Sequence, residues 1–70
     1  MTIGENIRKL RKEKGWTQAE LAFEADTNSL SISYYENGRA LPSILNLISI
    51  ADALGVTLDE LVGRTKIKRK

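Results

Sequence analysis

Thr17, Gln18, Asn28, Ser29, Ser33, Tyr34, Asn37 and Arg39 crowd hydroxyls, carboxamides and one guanidinium into the segment 17–39. Such a set can donate to and accept from polar edges, and it can attract an anion. It has no means of catalysis. The chain contains neither histidine nor cysteine, so thiolate chemistry, disulfides and the commonest zinc sites are excluded. No nucleophile–base pair, metal cluster or phosphate loop stands anywhere in it. Recognition, with no enzyme activity, no cofactor and no metal, is the chemistry these residue types support.

The elements that must position these side chains are two short helical periods joined by a tight turn. Thr17 and Glu20 form a Thr-x-x-Glu capping box, followed by apolar Leu21, Ala22 and Ala25. Asp26-Thr27-Asn28 interrupts the pattern, and Asn28 is a good N-cap for a second helix with Ile32 and Tyr35 facing inward. Two helices with so short a turn suggest a helix-turn-helix, whose second helix can enter a DNA major groove. Asn28, Ser29, Leu30, Ser33 and Tyr34 then face outward, and Asn37-Gly38 stops the helix.

The flanking sequence supplies three more helices. Thr2 and Glu5 open the first, which places Ile3, Ile7 and Leu10 on one face and ends at Gly15. A fourth begins near Pro42, turns Ile44, Leu47, Ile48, Ala51 and Leu54 toward the core, and stops at Gly55. Thr57 and Glu60 open a short fifth with Leu58, Leu61 and Val62. The pattern predicts a compact all-α domain over residues 1–63 and a basic, mobile tail over 64–70.

Seventy residues suffice for one domain with a small core. No apolar run approaches the roughly 20 residues of a membrane span, and no signal peptide is visible, so a cytoplasmic protein is expected. The net charge of +2 is unevenly spread. Arg8, Lys9, Arg11, Lys12 and Lys14 cluster near the start, and Arg64, Lys66, Lys68, Arg69 and Lys70 at the end. Residues 15–63 hold one base, Arg39, against Glu20, Glu24, Asp26, Glu36, Asp52, Asp59 and Glu60. For a polyanion partner this implies modest affinity drawn mostly from the two basic clusters. Solvated charge runs without a partner would look the same.

From about Ile3 to Val62 the chain resembles, without gaps, the phage repressor and Cro type of DNA-binding domain, the XRE family. The strings that carry the resemblance are Ile7-Arg8-x-Leu10-Arg11 with Gly15, Thr17-Gln18-x-Glu20-Leu21-Ala22, Ile32-Ser33-x-x-Glu36-x-Gly38-Arg39, Pro42-Ser43, Ile50-Ala51-x-Ala53-Leu54-Gly55-Val56 and Leu58-Asp59-Glu60-Leu61. The resemblance implies a five-helix, lambda-repressor-like fold and a small transcriptional regulator, a repressor more readily than an activator. Such a protein would bind double-stranded DNA as a homodimer on an inverted repeat. It would be prokaryotic or phage-encoded and nucleoid-associated when bound.

Residue by residue, the resemblance implies that Gln18, beside Thr17, contacts the DNA backbone, that Ser29, Leu30 and Tyr34 contact bases, and that Asn37 and Arg39 lie along phosphates. It also implies a structural pair between Arg11 and Glu36, and a symmetric contact for which Leu41, Leu45 and Leu58 are the candidates. Local readings remain open beside these: Thr17 as a cap, Asn37-Gly38 as a helix stop, Leu30 packed on Phe23 or a partner. The outward residues depart from the family's glutamine- and arginine-rich pattern, and in the helix only Asn28 has the type for a bidentate contact with a base. Leu30 suits a thymine methyl, which favours A·T-rich sites. The acidic middle and exposed Phe23 keep a second reading in view, an antitoxin-like or protein-interaction module that retains the fold and binds DNA weakly.

Overall fold

In the computed structural model, which describes residues 2–63, the chain folds into α1 (Ile3–Glu13), α2 (Gln18–Glu24), α3 (Ser29–Glu36), α4 (Ile44–Leu54) and α5 (Leu58–Val62). The basic tail expected at 64–70 lies outside the described residues. Among the described residues there is no strand. None of the helices is long and apolar enough to cross a membrane.

Each helix starts where a side chain can take up a free N–H. Thr2, Thr17, Asn28, Ser43 and Thr57 all accept from the backbone N–H three residues on. Thr2–Glu5, Thr17–Glu20 and Thr57–Glu60 close full capping boxes. Ser43 caps α4, so Pro42 lies just ahead of the helix and is itself buried.

The core takes one fully buried aliphatic side chain from each helix: Ile7, Leu21, Ile32, Ile50 and Leu61. Ala22, Ala25, Tyr35, Ala51 and Leu54 pack around them. α4 is rotated relative to the sequence expectation. Ile44 and Ile48 are exposed and Ile50 is buried, so the inward stripe is Leu47, Ile50, Ala51 and Leu54. The helix is apolar on nearly every side, and both stripes fit its period. The buried stripe packs on α2, α5 and α1, and Asn46 Nδ2 donates to Tyr35 Oη at 2.8 Å beside it.

Two more contacts fix how the helices meet. Asn6 is buried and its Nδ2 donates to the Leu61 carbonyl at 2.9 Å, joining α1 to α5. Gly4 brings α1 against the end of α3, where an added Cβ would lie 2.2 Å from the Tyr35 carbonyl oxygen. No other residue fits that approach.

Candidate nucleic-acid interface

The turn between α2 and α3 sets the exposed surface. Ala25 ends α2, and Asp26 follows in the left-handed region at φ 59°. Thr27 N–H then donates back to the Ala22 carbonyl at 2.9 Å, and Asp26 N–H to that of Phe23 at 3.2 Å. This is a Schellman closure with aspartate where glycine is usual. It releases the chain directly into Asn28 and α3.

Glu36, the last residue of α3, is buried and accepts three side-chain N–H groups. Arg11 Nε and NH2 donate at 2.7 and 3.0 Å, and Gln18 Nε2 donates at 3.1 Å. Arg11 NH1 also donates to the Trp16 carbonyl at 2.7 Å. The Arg11–Glu36 pair therefore ties α1, the link before α2, the first residue of α2 and the end of α3 together. The hydrogen bond to Glu36 raises the Arg11 guanidinium above its ordinary pKa, against the lowering effect of burial. Sequence reading paired Arg11 with Glu36 but left Gln18 and the Trp16 carbonyl out of the cluster. Only the tertiary fold brings those groups together.

Around this anchor the candidate side chains fall as follows. Thr17 is exposed, its hydroxyl accepting from Glu20 N–H at 3.0 Å while its own N–H donates to Glu20 at 2.7 Å. Gln18 is half-buried, with one amide hydrogen committed to Glu36. Asn28 is exposed, but its Oδ1 accepts from Ser31 N–H at 2.8 Å. While it caps the helix, its carboxamide oxygen has one of its two lone pairs committed to the backbone.

Ser29, Leu30 and Tyr34 are exposed along α3, and Leu30 has 59% of its surface in solvent. Phe23 is also largely exposed, so Leu30 is not covered by it. Ser33 is half-buried and accepts from Asn37 Nδ2 at 3.4 Å.

A second Schellman closure ends α3. Gly38, at φ 76°, donates to the Tyr35 carbonyl at 3.3 Å, and Arg39 N–H donates to that of Tyr34 at 2.9 Å. The apolar contact that often accompanies this motif is replaced here by a cation on an aromatic ring, with Arg39 Cζ 5.9 Å from the Tyr34 centroid. The five-residue spacing of Tyr34 and Arg39 across Asn37-Gly38 carried the signal for this contact. Arg8, Lys9 and Lys12 are exposed on α1, and the exposed Lys14 that caps its end holds Nζ 5.2 Å over the Trp16 ring. Arg11, paired inside, is withdrawn from the basic cluster that the sequence offered to an anion.

Apart from this face, Leu41 and Leu45 are 80% and 73% exposed, and Leu58 is 37% exposed. Ile44 and Ile48, which the sequence reading placed in the core, join them at the surface. Among the described residues no group of acidic side chains could hold a metal ion.

The model of the helix-turn-helix family matches residues 7–61. The cryptic phage CTXphi transcriptional repressor RstR of Vibrio cholerae serotype O1 is 44% identical over 64 residues, 91% of this chain and 57% of that protein. The immunity repressor of Bacillus phage phi105 is 37% identical over 100% of this chain and 49% of its own length. This chain thus spans about half the length of these two relatives. The P22 c2 repressor, in complex with a synthetic operator, superposes with a TM-score of 0.86 at 30% identity over 91% of this chain and 97% of that one. The chain belongs to the helix-turn-helix family of phage repressor and Cro type.

Proposed function

We propose that the protein is a transcriptional regulator, a repressor in the first instance, that binds double-stranded DNA sequence-specifically by laying α3 in the major groove. The observation that carries this is the exposed row Ser29, Leu30 and Tyr34, on a helix whose end is fixed to Gln18 through Glu36. A rigid helix bearing outward polar and apolar groups can hold hydrogen bonds and a methyl contact in register with base edges. That RstR is a transcriptional repressor and that the P22 c2 repressor was captured with an operator support the same reading.

In this arrangement Ser29, Leu30, Ser33 and Tyr34 face the bases, and Asn28 offers its remaining amide hydrogens. Thr17 can donate its hydroxyl proton to a phosphate, beside the free hydrogen of the Gln18 amide, and Asn37 and Arg39 close the far end of the helix. Phosphate contacts position the protein and base contacts select the site. Leu30 makes a thymine methyl the natural partner, so A·T-rich half-sites follow.

Leu41, Leu45 and Leu58, with Ile44 beside them, form the surface proposed for a two-fold dimer. A symmetric pair places two copies of α3 on half-sites about one helical turn apart, roughly 10–10.5 base pairs between centres. A partner protein on Phe23 is the alternative occupant favoured by that side chain's exposure.

Selection from a randomised duplex pool at low and at physiological salt tests the proposal. The expected result is an A·T-rich inverted repeat with that spacing. Retention of no sequence, with binding lost on modest salt addition, would leave only the basic clusters touching DNA and favour the protein partner.

A further inference from the structure

We infer that Arg39 and Tyr34 act as one recognition unit in which the Arg39 guanidinium reads a guanine in the major groove, next to the bases facing α3. The inference rests on the DNA-binding reading above and adds a base contact that the side chains of α3 cannot make. Asn28 is occupied as a cap, and Ser29, Leu30, Ser33 and Tyr34 have no planar pair of donors. Among the described residues next to α3, the Arg39 guanidinium has the geometry for the O6 and N7 acceptors of guanine.

Two independent contacts bring Arg39 onto the recognition face. Its backbone N–H is bonded to the Tyr34 carbonyl at 2.9 Å through the left-handed Gly38, which turns the chain back over the helix end. Its guanidinium lies 5.9 Å from the Tyr34 ring centroid. At that distance the ring attracts the cation without taking up its N–H donors, which stay free to meet acceptors. Among the described residues the Arg39 side chain has no ion-pair or hydrogen-bond partner, in contrast to Arg11, all of whose nitrogens are engaged by Glu36 and Trp16. The attraction also favours one placement of a long side chain before binding, so less rotamer freedom is lost when it meets a base.

The test is duplex-pool selection with the unaltered protein, Arg39→Lys and Tyr34→Leu, together with the salt dependence of binding to the selected duplex. Lysine keeps the charge and loses the fork; leucine keeps the bulk and loses the ring. The expected result is one guanine per half-site with the unaltered protein. Arg39→Lys loses discrimination at that position by about tenfold or more, with the salt slope and the other positions unchanged. Tyr34→Leu relaxes that position too, along with its own.

A consensus that Arg39→Lys leaves intact would overturn the inference and leave Arg39 as a phosphate ligand, while the DNA-binding reading stood. No consensus with the unaltered protein would overturn both. Circular dichroism melting of each variant confirms that a changed consensus comes from a folded protein.

Discussion

Gln18 opens α2 and Glu36 closes α3, and they meet through one hydrogen bond, Nε2 to Oε1 at 3.1 Å, on a carboxylate already held by Arg11. The residue proposed to touch the DNA backbone and the helix proposed to read bases thus share a single buried anchor. Moving either relative to the other means disturbing an ion pair in the interior.

Glu36→Ala is expected to cost about 3–5 kcal/mol, because it strands a buried guanidinium. A chain of this length has a total stability of only about 4–10 kcal/mol, so the variant loses from roughly a third to all of it. The double change Arg11→Met with Glu36→Leu removes both charges and should recover most of the loss. Urea denaturation of the three proteins checks this, and a single-variant loss below about 1 kcal/mol would assign the pair the weight of a surface contact. The raised pKa of Arg11 adds a sign. Its contribution is present below the unfolded-state value and lost only as pH climbs past the folded one, so the guanidinium introduces no stability step across neutral pH.

Gly4→Ala should destabilise by about 2 kcal/mol, lowering the melting temperature by roughly 10 °C. The added methyl would stand 2.2 Å from the Tyr35 carbonyl oxygen and 3.0 Å from that of Glu36, both backbone atoms. α1 must then lift off the end of α3. A melting temperature within a degree or two of the original would mean that this approach is not tight.

Asp26→Gly is expected to stabilise by about 0.5–1 kcal/mol. It relieves a left-handed aspartate at φ 59°, an effect partly offset by the greater freedom of glycine in the unfolded chain. Asp26→Ala should destabilise by about 1 kcal/mol. Thermal melts at one salt concentration rank the three proteins.

Leu45→Lys tests the proposed dimer. Leu45 is 73% exposed, so monomer stability should change by less than about 0.5 kcal/mol. Affinity for a full inverted repeat should fall at least tenfold, whereas affinity for an isolated half-site stays the same. Equal effects on both duplexes, measured by fluorescence anisotropy, would remove this face from dimerisation.

What was legible in the sequence was local. The three capping boxes, the Asn28 cap and the Asn37-Gly38 stop depend on residues within a few positions of one another, and all are formed. Ile32 and Tyr35 of α3 are buried as the sequence placed them, although Leu30 and Tyr34 leave its outer side only partly polar. α4 has apolar residues on most of its sides, and which of them face inward depends on the helices it packs against, α2, α5 and α1. Asn6 and Gly4 were equally silent, because one bonds the Leu61 carbonyl and the other lies against Tyr35 and Glu36. At the candidate interface, the outward face of α3 could be read from spacing. The commitment of Gln18 to Glu36 needed the folded geometry, whereas the approach of Arg39 to Tyr34 is local and follows from how Gly38 closes the helix.

The most direct test of α3 as the DNA-reading element is the change in amide NMR signals when the selected duplex is added at physiological salt. The expected shifts fall on Thr17, Gln18, Asn28, Ser29, Leu30, Ser33, Tyr34, Asn37 and Arg39, with Phe23 unmoved. Shifts confined to the exposed bases of α1, Arg8, Lys9 and Lys12, would contradict it, since DNA would then be held by charge alone and α3 would read nothing.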